Sequence, residues 1–528
     1  VTGTMALVRL ALRRDRSLLP GWILVIVGVV AGTASAIAEL YPGMDDRLAL
    51  GLTIGSTPAL QAITGPVYDP ASVGGLTAWR ATTIAAVLAA LMSLLLVTRH
   101  TRAEEESGRA ELVGACAVGR HAFPAAALVV AGGANLLIAA LITAALTAQG
   151  LPVSGALAFG LAIAGTGWIF AGVAAVTAQL TEHARTANGL AAAVLGAAFL
   201  LRAAGDAGGW EALSWASPLG WAQRVRAFAD ERWWVIGLAL LTAVTLVLVA
   251  AALIRRRDLG SGVLPPRTGP ADAPPYLSSA LGLAWRLHRG GVLGWAAGFA
   301  VMGALFGALA HSAGQILGGN PQLAAILERL GGESTLVDTF LVTVLGMMGL
   351  VAGAFAVQAV LRLQGEEAAL RAEHVLSAAV TRPRWALAHL LMAWAGSAAV
   401  LGMGGLAIGA AHGIRTGEPG QVIRLAAAAW VQLPAVWVAA GLTMLLYGLL
   451  PRLTALAWAM LLSFALLGQL GEVLQLPEWM QRLSPYSHLP QAPGGELDPA
   501  PLIWLAVLAL VLAGVGVAAF RRRDLTGA

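Results

Sequence analysis

The chain is predicted to be an all-α polytopic membrane protein of about 12 transmembrane helices, built as two parallel six-helix repeats. Two observations carry this. First, 58% of the 528 residues are hydrophobic, only 12% are charged, and 64 are glycine. A soluble core of ordinary proportions cannot hide that much apolar surface, whereas a bilayer accepts it. Second, the chain repeats itself. Arg255-Arg256-Arg257-Asp258-Leu259 and Arg521-Arg522-Arg523-Asp524-Leu525 close two long apolar runs with the same five residues. Ser217-Pro218 recurs as Ser484-Pro485, Gly21-Trp22 as Gly294-Trp295, and the Glu104 to Glu111 segment as Glu366 to Glu373.

A span needs roughly 20 apolar residues at about 1.5 Å per residue. The first half supplies six such stretches, near 19–40, 77–98, 122–148, 153–180, 188–204 and 233–254. The second supplies 292–312, 340–362, 385–411, 422–450, 455–471 and 501–520. Among these, 188–204 is the shortest in the first half and ends at Arg202. The first apolar run is too long for a signal-peptide core and reads as the first anchor. Pro265-Pro266, Pro270 and Pro274-Pro275 interrupt any helix between the halves. The expected organisation is a first six-span half over 1–262, a Pro-rich cytoplasmic linker over 263–276 and a second half over 277–528.

An even number of spans per repeat makes the repeats parallel, related by a pseudo-two-fold axis along the membrane normal, with a path expected between them. Arginine sets the orientation. All 33 basic residues are Arg, and placing the N-terminus in the cytoplasm puts 23 of them on the cytoplasmic side. Both termini are therefore expected inside, in the cell membrane. The sequence pI near 10.1 then reflects topology and anionic membrane lipids, with no nucleic acid required. Arginine-bearing amphipathic segments, Leu7 to Arg16 and Leu281 to Arg289, precede each first span and are expected to lie in the interface.

The loop after the second span carries the sharpest signal. Its copies run from Thr101 to Arg120 and from Gln364 to Arg382. Glu105 and Arg109 are four apart, as are Glu367 and Arg371, so each pair is expected to bridge along one helix face, leaving Val113 and Val375 to touch a partner. Other chemistry is poorly supplied. A lone Cys116 excludes an intrachain disulfide and a cysteine-based metal cluster. His311, His389 and His412 read as isolated, and Asp45-Asp46 falls on the opposite side of the membrane from Glu104 to Glu106, so no metal site and no catalytic residue is expected. An ion-driven carrier would keep acidic groups near the midplane, and the mid-span regions carry none.

The Glu-Glu-x-x-Gly-Arg-x-Glu-Leu segment, the run Ser217-Pro218-Leu219-Gly220-Trp221-Ala222-Gln223-Arg224-Val225-Arg226 and the Arg-Arg-Arg-Asp-Leu exits resemble actinobacterial ABC exporter permeases of the type-2 class. Within that class the resemblance is to the fused two-half exporters of polyketide antibiotics and other drugs. It implies an ATPase-coupling helix after each second span, which assigns Glu104, Glu105, Arg109, Glu111 and Arg120, and in the second half Glu366, Glu367, Arg371, Glu373 and Arg382. It also implies connecting helices before each first span. Re-entrant segments over 205–232 and 472–500 would form an external gate around Ser217, Pro218, Ser484 and Pro485. The second half departs, with Leu370 at the Gly108 position and Tyr486-Ser487-His488 in place of Leu219-Gly220-Trp221.

A phosphate-binding P-loop needs a lysine, and the chain has none, so the ATPase, with its ATP and Mg, is expected on two copies of a separate subunit. The cargo is expected to be a hydrophobic or amphiphilic small molecule, with a lipid or glycolipid envelope component as the alternative. Trp168, Phe170, Met347, Met348, Met460 and Phe464 are the candidate lining of its path.

Overall fold

The structure is a computed structural model that describes residues 2–55, 58–264, 272–318, 333–469, 477–495 and 498–524. The chain forms two compact units, Val1–Gly269 and Pro270–Ala528. Residues 265–271 of the Pro-rich linker lie outside the described residues, as does Leu525 of the second Arg-Arg-Arg-Asp-Leu motif.

Unit 1 begins with α1 (Thr4–Arg14), α2 (Leu18–Leu40), α3 (Met44–Gly55) and α4 (Pro58–Thr64). α5 (Val73–Arg99) leads into two short helices, α6 (Arg102–Glu106) and α7 (Arg109–Gly114). Then come α8 (Ala122–Ala148), α9 (Val153–Leu180), α10 (Ala184–Gly208), α11 (Glu211–Trp215), α12 (Pro218–Arg224) and α13 (Trp233–Ile254). α5 and α9 are the enclosed members, with Ala85, Ala89, Phe159, Ile163 and Phe170 all buried. α2 and α13 present Leu24, Leu241 and Leu248 outward, the pattern of helices that face lipid.

Unit 2 contains α14 (Ala280–Gly318), α15 (Glu333–Ala368), α16 (Arg371–Leu376), α17 (Arg382–Thr416), α18 (Gln421–Trp430), α19 (Leu433–Leu449), α20 (Leu456–Gln469), α21 (Glu478–Gln481) and α22 (Pro499–Arg522). Pro434 has no N–H for the Trp430 carbonyl, and the apolar run 421–449 breaks there into α18 and α19. Helix approach in this unit depends on small residues. A Cβ on Gly303 would stand 2.4 Å from the Gly404 carbonyl oxygen, and one on Gly307 would stand 2.4 Å from that of Ile408. These glycines, four apart on α14, let its backbone lie directly on α17.

Among the described residues, 11 helices are long and apolar enough to cross a membrane, and the shorter α20 adds a further apolar helix. This is an all-α, multi-pass membrane protein. The 188–204 stretch is a full-length helix, α10. Its second-half counterpart is the short one, 14 residues against the expected 455–471, and residues 470–476 are outside the described set. The two amphipathic segments differ from each other. α1 is a separate helix whose Leu7, Val8 and Ala11 pack into the core. Leu281 to Arg289 forms no separate helix and is instead the opening of the 39-residue α14. Gly290-Gly291 stands between it and the apolar run, yet the helix continues through both glycines.

Candidate functional site

The segment after each second span is an elbow rather than a continuous helix. Gly108 has φ 73° and separates α6 from α7. Leu370, at the matching position of unit 2, has φ 58° and separates α15 from α16. A left-handed residue suits glycine and strains leucine, so the second copy keeps the bend without the residue that makes it easy. The bend overturns the expected Glu105–Arg109 and Glu367–Arg371 bridges, because residues on either side of it share no helix face. Arg109 Nε instead stands 3.4 Å from Glu104, and Arg371 Nε donates to Glu366 at 2.8 Å.

That leaves Glu105 and Glu367 for a different partner, the third arginine of each exit motif. Glu105 takes both arms of Arg257, at 2.7 and 2.8 Å, and also Arg102 at 2.5 Å. Glu367 takes Arg523 at 2.6 and 2.5 Å, and accepts the Tyr447 hydroxyl at 2.7 Å. A second tie runs beside the first. Arg120 donates to the Arg257 carbonyl, and Arg382 donates to the Arg523 carbonyl at 2.5 Å. In each unit, four residues therefore lock the elbow to the end of the last span. The two-nitrogen fork of Arg257 on Glu105 fixes orientation as well as position, whereas Arg523 reaches both oxygens of Glu367 through Nη2 alone.

Unit 1 shows further contacts. Arg102 Nη2 donates to the Ser261 carbonyl at 2.8 Å, and Arg257 Nε donates to Gln179 at 2.8 Å. The chain after the exit motif pairs back onto the end of α9, Val263 N–H to Gln179 at 2.9 Å and Leu264 N–H to Leu180 at 3.0 Å. Buried Asp15, just after α1, pairs with His100 and with Arg99 at 3.3 Å, and Arg14 reaches Glu104. α1 is thereby tied to the same elbow. Sequence reading missed Arg102, Asp15, Gln179, Tyr447 and the roles of Arg257 and Arg523. The signal for the last two was present, since the exit motif and the loop motif recur together.

The outer face of each elbow is free. Leu112 is 75% exposed, and Arg109, Glu111 and Cys116 are exposed beside it. On α16 the exposed residues are Leu370, Arg371, Glu373 and His374. Val113 and Val375 are turned inward against the cores of their units, contrary to expectation.

Ser217 and Ser484 are wholly buried anchors. Ser217 Oγ donates to the Ala198 carbonyl at 2.6 Å, and Ser484 Oγ donates to the Phe464 carbonyl at 3.0 Å. Each pins the segment that follows it to the fifth long helix of its unit. Pro218 opens α12, and Pro485 opens a 3₁₀ turn whose Tyr486 hydroxyl donates to the Gly349 carbonyl at 3.3 Å. Burial pushes that phenol well above its usual pKa. Residues 470–476 and 496–497 of the proposed second gate lie outside the described residues.

The candidate path residues differ in burial within their own units. Phe170 and Met348 are buried within the cores of their own units. Trp168 is half-buried and donates to the Gly132 carbonyl at 3.2 Å. Met347 is exposed, while Met460 and Phe464 are half-buried. His389 is not isolated: it meets His288 at 2.9 Å. His412 is buried, and the side chain of His311 lies outside the described residues.

The family model for the C-terminal domain of the multidrug efflux system permease Rv1217c matches residues 6–257 and again residues 277–521. The chain belongs to this family. It is also 43% identical over 525 residues to the multidrug efflux system permease protein Rv1217c of Mycobacterium tuberculosis, covering 99% of this chain and 95% of that protein. Each match of the domain includes one elbow; the first runs through Arg257, whereas the second stops at Arg521, two residues short of Arg523.

Proposed function

We propose that this chain is the membrane-spanning permease of an ATP-driven exporter, moving hydrophobic or amphiphilic drug-like compounds out of the cell while two copies of a separate subunit hydrolyse ATP. Membership of a multidrug efflux permease family supports the transport role. The observation that carries the ATP-driven reading is the duplicated elbow. Each copy is rigidly held on its inner side by a Glu–Arg lock and leaves an apolar and charged outer side uncovered. Such a surface suits a docking partner, and two of them suit two partners.

The lock gives the docking a mechanical consequence. A push on α7 is carried through Glu105 and Arg120 to Arg257, at the end of α13, and through α6 to α5. Two spans of the unit are thus loaded together, and α16 loads α15 and α22 in the same way through Glu367 and Arg382. Termini and elbows are placed in the cytoplasm, where ATP is available, and the permease in the cell membrane.

Native mass spectrometry of the complex purified with its ATPase tests this reading. One permease with two ATPase subunits is expected, with ATP hydrolysis absent from the permease alone. A one-to-one complex would overturn the two-elbow account.

A further inference from the structure

The end of unit 1 opposite its lock holds buried charge that the coupling reading leaves unused. α5 carries the lock beyond Arg99 and this cluster beside Val73, about 40 Å away for its 27 residues. Arg202 has no exposed surface, and its Nη2 donates to the carbonyls of Ala62 at 2.9 Å and Ile63 at 3.0 Å. It stands 3.7 Å from one oxygen of Asp206, and buried Arg224 stands 3.7 Å from the other. One carboxylate therefore faces two guanidinium groups. A third, Arg226, pairs with no carboxylate among the described residues. Its guanidinium lies over the Tyr68 ring at 4.7 Å, and its Nε is sealed from solvent without a hydrogen bond.

Arg226 opens onto a small cleft that it lines with Tyr68, Trp79, Thr82 and Gln223. Gln223 is buried. Its Nε2 donates to the Thr64 carbonyl at 2.7 Å and to Thr83 at 2.9 Å, leaving Oε1 without a partner. Burial raises the Tyr68 pKa, and Arg224, Arg226 and Arg232 pull it back, so three arginines reach this one phenol. Asp69 also lines the cleft, but its oxygens already serve the N–H groups of Ala71 and Ser72 and the Ser72 hydroxyl. Arg224, Arg226 and Arg232 bring positive charge to the cleft, and Asp69 and Asp206 bring negative charge.

The backbone around Arg226 is set with care. Arg226, Phe228 and Asp230 all have left-handed φ, at 53°, 65° and 53°. Phe228 holds the loop, because its ring fills the space over Gly74 and Gly155, where an added Cβ would stand 2.6 and 2.2 Å away. Strained residues persist only where packing over-determines them, and they gather at ligand clamps. Among the described residues, unit 2 shows no such cluster. At the offsets of 266 and 267 that relate Ala198 to Phe464 and Ser217 to Ser484, Arg202, Arg224 and Arg226 fall on Gly468 or Gln469, Pro490 or Gln491, and Ala492 or Pro493.

We propose that this cleft binds the oxyanion head, a carboxylate or phosphate, of an amphiphile, with Arg226 as its counter-ion and Tyr68 and Trp79 as its aromatic walls. The binding site stands independently of export; only its use as a cargo site rests on the permease reading. Binding to the purified full chain, without ATPase or ATP, keeps the two separate.

The test is equilibrium binding of radiolabelled dodecanoate to the chain in phosphatidylcholine nanodiscs. Saturable binding is expected, with roughly tenfold or greater weakening in Arg226→Asn and near-wild-type affinity in Arg226→Lys. Asn tolerates a left-handed φ, so that variant is expected to keep the wild-type thermal unfolding. Methyl dodecanoate, which lacks the charge, is expected to compete poorly with the wild type, a comparison that needs no variant. Equal competition by the ester, or undiminished binding by a folded Arg226→Asn, would overturn the site. Displacement by phosphatidylglycerol placed in the disc assigns a lipid headgroup as the natural occupant, and displacement by inorganic phosphate assigns a free anion. Either supports the anion site.

Discussion

Glu105 grips Arg257 with both carboxylate oxygens across 152 residues of chain, joining the elbow motif to the exit motif. The same grip joins Glu367 to Arg523 in unit 2. In each case the glutamate lies on an elbow and the arginine at the end of the unit's last span. The sequence places these residues far apart, and only the fold makes them one device.

Glu105→Gln should destabilise the protein more than Glu367→Gln. Removing one member of a buried ion pair costs about 3–5 kcal/mol, mostly because the remaining charge is left uncompensated. Glu105→Gln strands both Arg257 and the fully buried Arg102, whereas Glu367→Gln strands Arg523 and leaves Tyr447 a neutral acceptor. Thermal unfolding in detergent reads the difference. Equal unfolding temperatures for Glu105→Gln and the wild type would mean that the lock carries no load.

Leu112→Asp and Arg109→Glu should abolish substrate-stimulated ATP hydrolysis while leaving the permease folded. Leu112 is 75% exposed and supports nothing within the unit. The Arg109 pair with Glu104 is half open to solvent and is worth at most about 1 kcal/mol. A large functional loss must therefore come from the partner surface, where reversing a desolvated charge costs about 2–5 kcal/mol. Arg371→Glu is expected to act in the same direction but less completely, since α16 keeps Arg371 and Glu373 but lacks the glycine that shapes the first elbow. Unchanged stimulation in all three variants would reduce the elbows to solvated loops.

Cys116 reports the orientation. It is exposed on the elbow side of unit 1 and is the only cysteine in the chain. A membrane-impermeant maleimide should label it in inverted vesicles and not in intact cells. Labelling of intact cells would place the elbows outside and remove the ATPase reading with them.

The membrane fold could be read from apolar run length alone. The stretches 122–148 and 153–180 coincide with α8 and α9, because a bilayer demands unbroken apolar length and the flanking Gly150-Leu151-Pro152 ends the first cleanly. Charge partners could not be read the same way. Spacing of four suggested Glu105–Arg109, but the left-handed residue at 108 breaks the helix and sends each side chain elsewhere. Leu370 gave no warning of its bend, since leucine favours helices, and only the repeat of Gly108 hinted at it. The meeting of Arg202 with Arg224 and Arg226 stayed hidden because Arg202 lies on α10 and the other two at the end of α12, segments that tertiary packing alone brings together.

Ser217→Ala should cost more than Ser484→Ala, although the two serines make the same long-range hydrogen bond. Both alanines remove a second donor from a helix carbonyl that keeps its own backbone N–H partner, Ala198 in one case and Phe464 in the other, at about 0.5–1.5 kcal/mol. Ser217 has a second duty. Its Oγ accepts from the N–H groups of Leu219 and Gly220 at 3.2 and 3.4 Å and so caps α12, whereas Ser484 makes no such cap. Loss of an N-cap adds about 1 kcal/mol. Amide hydrogen exchange should show the α12 amides released in Ser217→Ala while the Pro485–His488 turn in Ser484→Ala changes less. Equal protection in both variants would mean that the cap on α12 contributes nothing beyond the shared anchor.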